Sequence, residues 1–449
     1  MTTSEGTWGV TPVPERLRRL TGLDLTLLWG NLGVSLLVVV TAAFIVPALS
    51  LPEALAAIVV GSILGNLMLG AAGMIGADGR VPAMVLLRAP LGRQGSYAAT
   101  GLNVAQCLGW ATFEIIVIAA AATALSNELF GVGANAFWTL TTGAVAAALA
   151  LMGPVGVVRR VIRKFAVWIV LGSLVYLTWW ALSEVSVRAL WDAPGAGGTS
   201  FVLAVDLVIA ITVSWIPLAP DYTRFAVSPR AAFVGTGLGY LAAGAWMLAL
   251  GALLALGRGI TDAAQLPVEV AAAGLASALA LLAVTVDEAD EAFANVYSTA
   301  VSLQNVLRRV PQRALVALVS ALATAGALVI DLGRYQTFLF LLGSFFVPLF
   351  GVLLADWLLS GRSYAQRDFF AAPSLRPGLL AAWLAGFAFY QWLHPLGPSW
   401  WTEIVERTNP PATQIGSSLP SFALAFGLAV ATIWLGRAAG RPRPAPTRT

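Results

Sequence analysis

The chain has 449 residues, of which 58% are hydrophobic and only 11% charged, and its mean hydropathy is +0.82. A soluble protein of this length carries about 25% charged residues, so the composition predicts a polytopic protein with the lipid bilayer as its solvent. The net charge of +4 gives no indication of a nucleic-acid partner, because the basic residues lie in short segments between apolar runs. One cysteine and one histidine argue against a disulfide framework, a thiolate cluster and a His-ligated catalytic metal.

The apolar runs predict an all-α fold with about 12 transmembrane helices, since about 20 residues cross a bilayer core. In chain order, spans one to twelve are predicted at 26–48, 53–77, 97–125, 134–156, 165–184, 200–222, 231–257, 270–306, 314–331, 336–359, 376–394 and 417–436. The polar residues 1–25 contain arginines and lack an apolar core with a cleavage site, so no removed signal peptide is predicted. The proline-rich basic segment 437–449 is predicted to be a disordered tail.

The distribution of arginine gives the orientation. With a cytoplasmic N-terminus, the 26 Lys and Arg residues all fall in cytoplasmic segments except Arg188, Arg258, Arg334 and Arg407. Cytoplasmic loops carry an excess of Lys and Arg. We therefore expect a multi-pass protein of the cell (inner or plasma) membrane with both termini in the cytoplasm.

Spans one and six both contain helix-breaking sequences. Span one contains Trp29-Gly-Asn-Leu-Gly33, with Asn31 and two glycines, and span six contains Thr212-Val-Ser-Trp-Ile-Pro217, whose proline disfavours helix at the preceding residue. Interrupted helices in corresponding positions of two halves indicate a transporter binding site. The two breaks lie five spans apart, as an inverted five-plus-five repeat requires, with 26–184 as the first repeat and 200–359 as the second. Two ordinary packing kinks are the alternative interpretation.

Span three places Gln106, Trp110 and Glu114 one helical turn apart on one face. An indole ring beside hydrogen-bonding groups suits a planar heterocycle, which stacks on the ring while its edge is bound by polar atoms. A packing role for Trp110 is the alternative. Span three lies five spans before span eight, so we expect their polar faces to meet across the repeat.

Span eight contains four carboxylates, at Asp287, Glu288, Asp290 and Glu291. A charged side chain facing lipid at the bilayer centre costs roughly 2.5–3.5 kcal/mol, so these groups must face protein, water or an ion. A helical stripe about 100° wide contains Asp287, Glu288, Glu291, Asn295, Ser298 and Ser302. In the alternative, the acids lie in an extracellular loop and the helix begins at Ala292. That helix would have about fifteen residues, which is too short to cross the bilayer.

At the cytoplasmic end of span six, Asp221 and Arg224 lie three residues apart. They form either an interfacial ion pair or a gating pair. Asp356, near the inner end of span ten, is interpreted as structural.

Six segments together resemble the nucleobase:cation symporter-1 family, which includes permeases for cytosine, purines, allantoin and hydantoins and hydroxymethylpyrimidine transporter-like members. They are Gly61-Ser-Ile-Leu-Gly-Asn-Leu-Met-Leu-Gly70, Arg88-Ala-Pro-Leu-Gly-Arg-Gln-Gly-Ser96, Gln106-x-x-Gly-Trp110, Pro220-Asp-Tyr-Thr-Arg-Phe225, Asn295-Val-Tyr-Ser298 and Ala355-Asp-Trp357. The resemblance covers most of the chain. It implies a LeuT-type core of ten helices at 26–359, two additional helices at 376–436, and cation-coupled uptake by alternating access.

The resemblance also implies roles for individual residues. Aromatic side chains of spans three and six hold the substrate ring, which corresponds here to Trp110 and Trp215. The matching polar positions for its edge are Gln106, Glu114, Ser214, Glu291 and Asn295. A sodium ion in relatives lies between span one and span eight, corresponding here to Gly30, Asn31, Gly33, Asn295, Ser298 and Thr299.

The acid cluster departs from the family pattern, because cytosine-permease-like members have uncharged Asn and Thr residues there. Glu114 likewise replaces a neutral residue of several relatives. A carboxylate in a low-dielectric site can carry a proton, so the coupling ion is Na⁺ or H⁺. Asp287 and Glu288 are assigned, with Asp221 and Arg224, to gating or coupling.

The predicted function is therefore secondary active import of a nucleobase-like heterocycle (cytosine, purine or hydroxymethylpyrimidine type) by cation symport, with no cofactor and no enzymatic activity. One alternative is a carrier of a different small substrate, such as allantoin, a hydantoin or an amino-acid-like molecule. The others are an intramembrane carboxylate enzyme and an ion channel. The identity of the heterocycle and the oligomeric state stay open.

Overall fold

The computed structural model describes residues 10–152, 167–260, 275–307, 309–330, 332–408 and 416–438, together with Gln265, Glu269 and Val270. Within the helices, the description leaves out the side chains of residues 128, 152, 167, 275, 276, 278, 279, 281–283, 286, 287, 289, 290 and 293. Most of the predicted disordered tail, residues 439–449, lies outside the described residues.

The described chain is α-helical, with an isolated bridge between Leu20 and Ala226 and no named strand. The helices are α1 (Gly22–Asn31), α2 (Leu36–Ala42), α3 (Leu51–Gly79), α4 (Ala83–Leu86), α5 (Arg88–Leu91), α6 (Gly95–Phe130), α7 (Asn135–Met152), α8 (Val167–Glu184), α9 (Val187–Asp192), α10 (Phe201–Val213), α11 (Ala219–Thr223), α12 (Pro229–Arg258), α13 (Leu275–Leu303), α14 (Gln312–Ala327), α15 (Tyr335–Leu359), α16 (Gln366–Phe370), α17 (Pro377–Leu393), α18 (Ser399–Glu406) and α19 (Ser418–Ala438). Every predicted span overlaps at least one of these helices.

Among the described helices, five are long and apolar enough to cross a membrane, and the bent pair α1–α2, counted as one span, gives six. The others in the predicted spans are shorter, broken or only partly described. The protein is therefore a multi-pass membrane protein. Helix α13 is continuous from Leu275 to Leu303, so the alternative in which the acids form a loop before Ala292 is wrong.

Span one is broken between α1 and α2, whose axes differ by 62°. Span six is broken between α10 and α11, at residues 214–218. Pro217 has no N–H to donate, and the N–H of Leu218 bonds to the carbonyl of Trp215 at 3.0 Å. The carbonyl of Ser214, which an uninterrupted helix would pair with Leu218, is thereby released.

Glycines of α3 allow the broken span six to approach closely. A Cβ atom on Gly61 would lie 2.6 Å from the Cβ of Val208, and one on Gly65 would lie 2.8 Å from the Cβ of Thr212. Both distances are shorter than carbon atoms tolerate, so only glycine permits this contact. Helix α3 thus supports α10 just before its break.

The last helix is attached to the core through Asp206 of α10. This buried carboxylate accepts bonds from the backbone N–H groups of Ser417 and Ser418, the latter at 3.2 Å. Ser418 is the first residue of α19 and Ser417 immediately precedes it, at the end of the helix where N–H groups have no internal partner. Asp206 therefore caps α19 from a neighbouring helix.

We predict that Asp206→Ala lowers the free energy of unfolding by about 1–2 kcal/mol, the usual cost of losing a helix cap. Asp206→Asn, which keeps one acceptor oxygen, should lose less. Thermal unfolding of the purified protein in detergent measures both. The control is Asp192→Ala, which removes an exposed acid from α9; equal melting temperatures for the two alanine variants would contradict the capping role.

Candidate functional site

The candidate site lies where the two broken spans meet α6 and α13. The side chains assigned to it from the sequence are buried, each no more than 6% exposed: Asn31, Gln106, Trp110, Glu114, Ser214, Trp215, Asp221, Arg224, Glu288, Glu291, Asn295, Ser298 and Thr299. The side chain of Asp287 lies outside the described residues. The candidate side chains are thus shielded from solvent in this structure.

Helices α6 and α13 join through paired polar side chains. The amide nitrogen of Asn295 donates to Glu114 Oε1 at 2.7 Å, and that of Asn103 donates to Ser302 Oγ at 2.8 Å. The polar faces of the predicted spans three and eight therefore meet, as expected. Sequence reasoning missed Asn103, although its position three residues before Gln106 places it on the same helical face.

Gln106 connects α6 to the break in span six. Its Nε2 donates to the released carbonyl of Ser214 at 2.9 Å and to Asn103 Oδ1 at 3.0 Å. The hydroxyl of Ser214 donates to the carbonyl of Ile211 at 2.7 Å. Ser214 therefore contributes its backbone to the junction, while its side chain bonds to its own helix.

Glu288 connects α13 to the break in span one. Its Oε1 accepts from the hydroxyl of Ser35 at 2.7 Å and its Oε2 from the N–H of Leu36 at 2.8 Å. Ser35 also accepts from the N–H of Leu37 at 3.1 Å, as an N-cap residue does. A carboxylate is favourable there because the N-terminus of a helix carries a partial positive charge.

The two tryptophans lie in separate aromatic clusters. Trp110 packs edge-on against Tyr335 and Phe338, with ring centroids 5.7 and 5.6 Å away. Trp215 packs edge-on against Trp29 at 5.8 Å, and its Nε1 donates to the hydroxyl of Tyr240 at 3.0 Å. The surrounding aromatic residues were not predicted, because they come from the first half of span one, from span seven and from the start of span ten.

The residues assigned to a sodium site form two groups. Gly33 packs on α12, where a Cβ atom would lie 3.0 Å from that of Ala243. The carbonyls of Gly30 and Asn31 accept from the N–H groups of Gly33 at 3.2 Å and Val34 at 3.0 Å. The backbone at the break in span one therefore forms tight turns stabilised by its own hydrogen bonds.

In the second group, Ser298 donates its hydroxyl to Asp221 Oδ2 at 2.8 Å, and Thr299 donates to the carbonyl of Asn295 at 2.7 Å. Both hydroxyl hydrogens point to protein oxygens, so the lone pairs of Ser298 Oγ and Thr299 Oγ1 are available to a cation. Within the part of the chain that the structure describes, no group of three or more His, Cys, Asp or Glu side chains could hold a metal ion.

Asp221 and Arg224 connect three helices. Asp221 Oδ1 accepts from the N–H of Ala83 at 2.9 Å, in addition to the bond from α13. Arg224 donates from Nε to the carbonyl of Asp221 at 3.1 Å and from Nη2 to the hydroxyl of Tyr297 at 3.4 Å. The two residues join α11 to α4 and α13. Asp356 binds Arg376 at 2.8 Å and the hydroxyl of Tyr364 at 2.9 Å, which agrees with a structural role.

A family model and a solved structure both relate this chain to the same family of membrane transporters. The family model of permeases for cytosine/purines, uracil, thiamine and allantoin matches residues 12–374. Mhp1, a nucleobase-cation-symport-1 family transporter solved in a closed conformation with bromovinylhydantoin bound, is 16% identical, with 98% of each chain covered and a TM-score of 0.81. No curated protein matches the sequence significantly.

More distant structures share the fold. A manganese transporter of Eremococcus coleocola is 14% identical over 97% of this chain and 99% of its own, with a TM-score of 0.57. A Na⁺-coupled sialic acid symporter is 11% identical over 96% of this chain and 92% of its own, also with a TM-score of 0.57. The predicted LeuT-type transporter fold is confirmed.

We predict that Glu288→Ala lowers the free energy of unfolding by about 1.5–3 kcal/mol, since it leaves the buried N–H of Leu36 without an acceptor. Thermal unfolding in detergent measures the loss, and Glu406→Ala, on the exposed face of α18, is the matched control. The double variant with Ser35→Ala should lose less than the sum of the two single losses, because both remove the same contact. Strict additivity would contradict the proposed link between α13 and α2.

Proposed function

The chain belongs to the family of permeases for cytosine/purines, uracil, thiamine and allantoin, and from this membership we propose that it imports a planar nitrogen heterocycle together with a cation, by alternating access. The observation that carries the proposal is the bond from Gln106 to the released carbonyl of Ser214. It brings the polar face of α6, which also carries Trp110 and Glu114, directly to a broken helix. Such junctions are where carriers of this architecture bind substrate.

For substrate recognition, we propose that Trp110 and Trp215 pack on the ring of the substrate. Gln106, Glu114 and Asn295 form hydrogen bonds with its polar edge. Ser214 and Glu291 complete this assignment. Indole rings provide a large apolar face for stacking, and the three polar groups lie on the two helices that face each other. The burial of all seven side chains supports a site that encloses its substrate.

For coupling, we propose Na⁺ between span one and α13, with the carbonyls of Gly30, Asn31 and Gly33 and the oxygens of Asn295, Ser298 and Thr299 as candidate ligands. The rival is H⁺, carried by the glutamates of α6 and α13. In either case the ion must bind one access state more tightly than the other, because only a difference in affinity shifts the equilibrium. We assign Asp287 and Glu288 to the outer side of this coupling and Asp221 and Arg224 to its inner side.

We further propose that residues 26–359 form the transport core, with the helices of 376–436 packed outside it. The packing of α17 and α19 against α15 supports this division. The distribution of arginine supports a cell-membrane location with both termini in the cytoplasm.

We predict that Trp110→Ala reduces uptake of the transported heterocycle at least tenfold, while Trp110→Phe keeps part of it because an aromatic face is preserved. Radiolabelled uptake by cells, normalised to the amount of protein in the membrane, measures both variants. Trp434→Ala removes a tryptophan that is 60% exposed on α19 and serves as the control. Uptake by Trp110→Ala equal to the control would refute the stacking assignment.

We predict that the double variant Ser298→Ala with Thr299→Ala raises the sodium concentration needed for half-maximal uptake at least tenfold, because it removes two oxygen ligands. Uptake into proteoliposomes at fixed pH and varied sodium measures this. Thr432→Ala on α19, whose hydroxyl also bonds to its own helix, is the control. If wild-type uptake does not depend on sodium and is lost when the pH gradient is removed, H⁺ is the coupling ion instead.

A further inference from the structure

Three buried oxygen atoms at the meeting of α6 and α13 have no hydrogen-bond donor. They are Glu114 Oε2, Asn295 Oδ1 and Gln106 Oε1, on side chains that are at most 1% exposed. A buried polar atom without a partner is costly, and such atoms are rare in native proteins. The arrangement is therefore suited to a ligand that supplies donors.

The orientation of the two amide groups is fixed by chemistry. The nitrogen of Asn295 faces Glu114 Oε1 at 2.7 Å and the carbonyl of Glu291 at 3.2 Å, and the nitrogen of Gln106 faces the carbonyl of Ser214 and Asn103 Oδ1. The backbone carbonyls of Glu291 and Ser214 can only accept, so the NH₂ groups must occupy these positions. The NH₂ groups of both amides are bonded within the protein, and only their oxygens are available to a ligand.

Glu114 of α6 and Glu288 of α13 are both buried carboxyl groups. Among the described residues, arginine forms ion pairs with Glu15, Glu184 and Asp356, and neither Glu114 nor Glu288 takes part in one. The charge of Glu288 is stabilised by Ser35, Leu36 and the N-terminus of α2. Glu114 receives a single amide donor.

We propose that the transported heterocycle is a cation, with a positively charged planar ring whose N–H groups donate to Glu114, Asn295 and Gln106. A neutral nucleobase presents ring nitrogens and carbonyls beside its amino groups, and these acceptors would meet the acceptors of the site. A ring protonated or alkylated on nitrogen places its charge near Glu114, and charge-assisted hydrogen bonds are the strong ones. A cationic ring also gains from the indole face of Trp110. This inference rests on the proposed function and narrows its substrate class.

The test compares matched pairs of ligands: neutral aminopyrimidines and aminopurines, and the same rings methylated on a ring nitrogen to give a fixed positive charge. Thermal shift of the purified protein gives the apparent Kd of each, since a ligand that binds the folded state stabilises it by mass action. Uptake into proteoliposomes identifies which ligands are carried. Because the charge of the methylated rings does not depend on pH, their binding is separated from protonation of a glutamate.

We expect the fixed-charge member of at least one pair to bind at least tenfold more tightly than its neutral partner and to be transported. In Glu114→Gln this preference should fall at least tenfold, whereas Glu114→Asp, which keeps the charge, and the exposed control Glu406→Gln should retain it. If Glu114→Gln does not fold, the comparison of the ligand pairs on the wild-type protein decides the question alone.

Binding and transport of the neutral members with equal or higher affinity would overturn the cationic substrate and leave the proposed function intact. Failure of every ring, charged or neutral, to bind or be transported would overturn the proposed function as well.

Discussion

A helix broken inside a membrane leaves backbone N–H and carbonyl groups that no water can satisfy, and this constraint organises the centre of the protein. Two side chains provide hydrogen-bond partners for such backbone groups. The N–H of Leu36 at the span-one break bonds to Glu288, and the carbonyl of Ser214 at the span-six break bonds to Gln106. One comes from α13 and the other from α6, so satisfying the backbone also fixes the position of the two helices that carry the other candidate site residues.

The sequence predicted those features of the fold that depend on local chemistry. Pro217 and the glycines around Asn31 marked both breaks, because proline and glycine disrupt helices wherever they occur. The spacing of Glu288, Glu291 and Asn295 predicted that these three side chains share a face, which fits a continuous helix rather than a loop. The distance of five spans between the two breaks predicted the repeat that the structural comparisons support.

What could not be predicted are contacts between residues far apart in the chain. Ser35 and Glu288 are 253 residues apart, and nothing in either segment identifies its partner. The same holds for the hydroxyl of Ser298, which the sequence assigned to an ion and which the structure finds bonded to Asp221. Trp110 illustrates a third limit, because its position on the polar face was predictable but its packing against Tyr335 and Phe338 depends on where span ten begins.

The two halves of each broken span share packing neighbours but have different hydrogen-bond partners. The first half of span one and the second half of span six are joined to each other: Leu20, just before α1, exchanges backbone bonds of 3.0 and 2.9 Å with Phe225 and Val227, just after α11. The other two halves are bonded elsewhere, α2 to α13 through Glu288 and α10 to α19 through Asp206. The breaks are therefore the places where two parts with different hydrogen-bond partners meet.

Gln106 and Glu114 lie at this meeting point, one bonded to the break itself and the other to α13. A ligand that bonds to both must act on the junction between the two parts, because the atoms that would bind it belong to the side chains that hold the junction together. Binding free energy is then available to favour one arrangement of the two parts over the other, which is what coupled transport requires.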